Sequence, residues 1–77
     1  MEDKIIQIMS DALMGEDVTA ESSTDNLTGW DSLGHLSILS ALDDASGGKV
    51  SEINEFNDVT SVKEIVSLCE AHGLNFS

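Results

Sequence analysis

Seventy-seven residues are enough for one small domain and too few for two independent cores. Hydrophobic residues make up 40% of the chain, too many for a disordered segment, so a folded module is expected. Fifteen acidic residues against three lysines and no arginine give a formal charge of −12, which disfavours nucleic acid and anionic membrane surfaces and favours a partner rich in Arg and Lys.

Ile5, Ile8, Met9 and Ala12 recur at the i, i+3, i+4, i+7 spacing of an amphipathic helix, and Leu13 extends the stripe. With Asp3 near its start and Gly15 after its end, helix one is expected over about 3–14. Residues 15–31 are rich in Ser, Thr, Asp, Asn and Gly and have no apolar stripe, so they read as a long loop. Val18, Leu27 and Trp30 are spaced to anchor that loop on the core. Helix two is expected over about 32–45, with Asp31 as its N-cap and Gly47-Gly48 as its terminator. At about 100° per residue, Leu36, Ile38, Leu39 and Leu42 fall in one broad arc that should face the core. Leu33 falls instead on the polar stripe with Ser37, Ser40 and Asp44. A short third helix is expected over about 51–57, around Ile53 and Phe56. Ser61-Val62-Lys63-Glu64 has the form of a capping box, opening a last helix over about 61–72 that carries Val62, Ile65, Val66 and Cys69 and stops at Gly73. The fold class is therefore all-α, a three- to four-helix bundle in a single domain of residues 1–77.

Several kinds of chemistry are poorly served by these residues. Neither Asp25 nor Asp43 opens a calcium loop, because the third and fifth positions counted from them are Leu27 and Gly29, or Ala45 and Gly47. His35, His72 and Cys69 lack the spacing of a zinc site. Trp30-Asp31-Ser32-Leu33-Gly34 differs from a nucleophile elbow in having Trp30 where that motif needs glycine. The lone Cys69, read as a buried core thiol, cannot form an internal disulfide, and the N-terminus lacks a basic, then continuously apolar, export signal. No apolar run approaches the ~20 residues that span a bilayer. A monomer in the cytoplasm is expected.

The string Gly29-Trp30-Asp31-Ser32-Leu33-Gly34-His35-Leu36 lies after a first amphipathic helix and a long loop, and its serine opens the second helix. In this arrangement the chain resembles the acyl carrier protein family, whose phosphopantetheine attachment motif is Asp-Ser-Leu. Leu36 to Asp44 continue as the expected recognition helix, and Val59-Thr60-Ser61-Val62 is similar to the family's step into its last helix. The resemblance covers nearly the whole chain and implies an acyl-carrier-like bundle. It implies that Ser32 bears 4′-phosphopantetheine from coenzyme A, that an acyl group rides on the arm's thiol, and that the protein itself catalyses nothing. Asp31, Leu33, Ser37, Asp43 and Asp44 would then form the recognition face for a phosphopantetheinyl transferase and for acyl-loading and acyl-processing enzymes with basic surfaces. Ser37 and Ser40 depart from the fatty-acid-synthesis carriers, which usually show Glu and a bulky apolar residue there, so a specialised lipid, polyketide or polysaccharide pathway is the expectation. An aminoacyl or peptidyl carrier and an unmodified acidic adaptor are the alternatives. His35 would either pack or line the mouth of an acyl cavity.

Overall fold

Two buried stripes at helical spacing start the fold. The computed structural model describes residues 2–74 and Phe76, and in it α1 (Glu2–Ala12) buries Ile5 and Met9 against α2 (Ser32–Ala45), which buries Gly34, Ile38 and Leu42. Asp31 caps α2 as expected, its Oδ1 accepting the Gly34 amide at 2.8 Å. After α2 come two short 3₁₀ segments, Val50–Glu52 and Asn54–Asp58. The single short helix expected over 51–57 is thus broken in two. Ile53 between them is extended (φ −114°, ψ 103°), and Phe56 from the second segment fills the interior with no exposure. The last helix, α3 (Val62–Ala71), buries Val62, Ile65 and Cys69.

Three α-helices and no strand are present among the described residues, so the chain is all-α. The long connection from α1 to α2 is held down as its anchors predict, with Val18, Leu27 and Trp30 all in the core. Its middle is also tied to the start of α3 by an isolated antiparallel bridge between Ser23 and Ser61. There Thr24 N–H donates to the Thr60 carbonyl at 2.9 Å and Val62 N–H to the Ser22 carbonyl at 3.0 Å. The cap of α3 differs from the expected box in one bond. Ser61 Oγ accepts the Glu64 amide at 3.2 Å, but the Glu64 carboxylate reaches back one residue further, to the Thr60 amide at 3.0 Å.

The orientation of α2 departs from its leucine pattern. Leu36, expected in the buried arc, is 63% exposed, and Leu39 is only partly buried. The face that packs runs through Gly34, Ile38 and Leu42. Gly34 explains the rotation, because a Cβ there would overlap the Gly29 carbonyl oxygen and crowd Leu13 Cδ2 at 3.0 Å. Backbone-to-backbone approach at a glycine buries that edge of the helix and turns Leu36 outward.

All three α-helices end alike. The residue after the C-cap has positive φ, and two backward amide bonds satisfy the last carbonyls. In α2 that residue is Gly47 (φ 75°), with Gly48 N–H donating to the Asp43 carbonyl at 2.8 Å. In α3 it is Gly73 (φ 64°), with Leu74 N–H donating to the Cys69 carbonyl at 2.9 Å. In α1 it is Met14 (φ 61°), with Gly15 N–H donating to the Ser10 carbonyl at 2.8 Å. The helix therefore ends at Ala12, two residues earlier than its apolar spacing suggests.

Candidate functional site

Ser32 is the first residue of α2 and is exposed. Asp31 has taken the Gly34 amide, so the side-chain cap of the helix is supplied without the serine, whose hydroxyl makes no hydrogen bond to the described residues. An anion on that hydroxyl would sit in the positive field at the N-terminus of a 14-residue helix.

An open groove of about 660 Å³ runs beside Ser32 toward the second 3₁₀ segment and the entry to α3. Trp30, His35 and Leu36 border it on one side, Val59 and Thr60 on the other. The wall on the α2 side is built by a chain of hydrogen bonds. Trp30 Nε1–H donates to His35 Nδ1 at 3.0 Å. Because indole can only donate, Nδ1 is the acceptor, so the proton of the neutral ring sits on Nε2, which donates to the Phe56 carbonyl at 3.1 Å. The two rings are nearly parallel (13°) with centroids 6.2 Å apart, an arrangement compatible with the N–H···N bond. His35 therefore joins the loop, α2 and the second 3₁₀ segment. Both its nitrogens are occupied, so it packs and bridges.

The remaining candidate residues divide. Leu33 is 76% exposed, as its position on the polar stripe predicts, and Ser37, Ser40 and Asp44 continue that exposed stripe along the helix. Asp43 is half-buried, and its Oδ1 accepts the Ser51 amide at 2.8 Å, so it clamps the turn after α2 as well as carrying charge. Asp44 lies about 18 Å along the helix axis from Ser32, given a rise of about 1.5 Å per residue.

Two exposed apolar side chains escape the hydrophobic pattern. Leu36 looks like a core residue by spacing, and Met14 sits 95% exposed at a helix end. Only the glycine at 34 hints at the first, and only the neighbouring Gly15 at the second. Cys69 is fully buried, and burial, helped by the Glu70 charge, pushes its thiol up to about 11. Among the described residues no group of three or more His, Cys, Asp and Glu side chains converges to hold a metal ion. No helix there is long and apolar enough to cross a membrane. No family model, no curated protein and no solved structure matches this chain.

Proposed function

We propose that the chain is an acyl carrier protein in which Ser32 bears 4′-phosphopantetheine. The observation that carries this reading is the hydroxyl of Ser32, exposed on the first residue of a helix whose cap is supplied by another side chain, at the mouth of an open groove. A modifying enzyme can reach that oxygen without unfolding anything. The phosphodiester it would leave gains about 0.3–1 kcal/mol from the helix terminus. The residues suit the group. Ser32 would hold it covalently, the unbonded first-turn amides would face its phosphate, and a groove of about 660 Å³ lies beside the serine. When bound, the arm supplies a thiol that carries an acyl group as a thioester. The chain's own residues then contribute presentation, tethering the cargo at high effective concentration to enzymes that dock.

On this reading α1, α2, the second 3₁₀ segment and α3 correspond to the four helices of an acyl-carrier-like bundle. The exposed stripe from Leu33 to Asp44, with Asp31 at its head, is the recognition face for the transferase and for basic acyl-processing enzymes. The engagement of both His35 nitrogens supports a carrier over a hydrolase built on Ser32 and His35, because no base is free to take the serine proton. A reducing cytoplasm suits a lone buried thiol.

Intact-mass measurement after incubation with coenzyme A and a broad-specificity phosphopantetheinyl transferase tests the reading. The wild-type protein should gain one phosphopantetheine, and Ser32→Ala should gain none while keeping its fold. No gain in the wild type would favour an unmodified adaptor. Equal gain in the variant would move the site elsewhere.

A further inference from the structure

Met14 is held in a conformation that, among the other described residues, only glycines adopt. It occupies the position after the C-cap of α1 at φ 61°, where α2 and α3 use Gly47 and Gly73. A left-handed residue with a Cβ is strained, and Gly15 stands next in the chain, so the cap itself gives no reason for methionine. Nor does the core, since the side chain is 95% exposed. Strain without a packing return directs attention to what the exposed side chain could touch outside the folded chain.

The neighbours of Met14 indicate which contact. It lines a groove of about 550 Å³ between the end of α1 and the outer face of α2, together with Glu16, Thr28, Gly29, Leu33 and Ser37. Among the described residues, Met14 and Leu33 are two of the three large hydrophobic side chains that stand exposed. Leu33 directly follows Ser32, so the groove opens on the opposite side of the serine from the Trp30–His35 wall. Glu16 lines the groove, Asp31 precedes Leu33 by two residues, and the whole chain carries −12. Two exposed apolar side chains beside Glu16, on a chain of charge −12, fit a surface in which an apolar side chain stands among Lys or Arg. A second copy of this chain, equally acidic, is repelled.

We infer that Met14 and Leu33 form one apolar docking cleft for the phosphopantetheinyl transferase that modifies Ser32, filled by an apolar side chain projecting from that enzyme's basic surface. The inference rests on the carrier reading and extends its recognition face from α2 across to the end of α1. Methionine suits the role, because an unbranched, polarisable side chain adapts to a partner's shape.

The test measures KM and kcat for phosphopantetheine transfer by a broad-specificity transferase, together with melting temperature. The variants are Met14→Gly, Met14→Gln, Leu33→Ala and the Met14→Gly/Leu33→Ala double variant. Met14→Gly should melt about 4–8 °C higher, through relief of the strained φ, and yet show KM raised about five- to tenfold with kcat little changed. Met14→Gln keeps the strain and loses the apolar tip, so it should raise KM without the gain in melting temperature. The double variant should lose less than the product of the single losses, because both side chains serve one contact. KM within twofold of wild type in both Met14 variants overturns the cleft, as does a multiplicative double variant. Dimers in sedimentation equilibrium that dissociate on Met14→Gly would overturn it in favour of a second copy. Failure of the wild type to be modified at all would instead overturn the carrier reading on which the cleft rests.

Discussion

Gly34→Ala sets two effects of known size against each other at the base of the candidate site. Helix propensity alone makes the substitution stabilising, because alanine is favoured over glycine inside a helix by about 0.8–1 kcal/mol. The surroundings of Gly34 reverse the sign. Its added methyl would run into the Gly29 carbonyl oxygen, a backbone atom that cannot rotate away, and would press on Leu13 Cδ2 at 3.0 Å. Forcing one extra carbon into a packed interior costs about 1–3 kcal/mol, and more where the obstacle is main chain. We therefore expect net destabilisation of about 1–2 kcal/mol, within a total stability of roughly 4–12 kcal/mol for a chain of this length. The melting temperature should fall by about 4–8 °C for each kcal/mol. Relief requires the segment from Gly29 to Trp30 to move off α2, which loosens the 3.0 Å bond from Trp30 to His35. Trp30 is the sole tryptophan, so its emission should shift to the red as the ring gains water. Thermal denaturation and fluorescence of Gly34→Ala, beside Ser37→Ala as an exposed control that reports propensity alone, decide the matter. A Gly34→Ala protein at least as stable as wild type, with unchanged emission, would refute the close approach and the rotation of α2 derived from it.

Leu33→Ala and Leu36→Ala should each stay within about 0.5 kcal/mol of wild type in urea denaturation, whereas Ile38→Ala, fully buried, should lose about 2–5 kcal/mol. If Leu36→Ala unfolds the protein and Ile38→Ala does not, the rotation of α2 is wrong. Alkali should destabilise the fold through Cys69. The folded state keeps this proton up to about pH 11, while the unfolded chain releases it near pH 9.0, so stability falls as pH rises across that window. Two pKa units amount to about 2–3 kcal/mol, and Cys69→Ala should flatten this part of the urea-midpoint profile. An alkaline slope unchanged in Cys69→Ala would assign the effect to other groups.

What could be read from the sequence follows the kind of signal each element carries. The boundaries of α2, expected at about 32–45, were legible because Asp31 is a strong cap and Gly47-Gly48 a strong stop, and both act locally. The rotation of α2 was not, since a count of apolar side chains gives no weight to a glycine. The buried face is centred near Ile38, about 80° from the centre of the leucine arc at about 100° per residue. The third helix was legible as Phe56 and Ile53 but not as two 3₁₀ turns, which accompany the burial of Phe56 in the core and the Asp43 clamp on Ser51. At the candidate site, the placement of Ser32, Asp31 and Leu33 was visible because it depends on position along one helix. The bridge from Trp30 through His35 to Phe56 was not, because it joins residues twenty-one positions apart.

On the proposed carrier reading, modification asks for a backbone that holds still and a side chain that is free, and the start of α2 meets both demands by separate means. The Asp31 carboxylate fixes the first turn from the helix side, Gly34 fixes it from below against the Gly29 carbonyl, and His35 fixes it laterally to Trp30 and Phe56. None of these three ties uses the Ser32 hydroxyl. A partner that binds here does not have to order the turn, so little of its binding energy is lost to conformational entropy and more remains for bringing reactants into line. Had Ser32 served as its own cap, each modification would have withdrawn a hydrogen bond from the helix at a cost of about 0.5–2 kcal/mol. With the cap assigned to Asp31, the oxygen can be substituted while the turn beneath it keeps every bond it has.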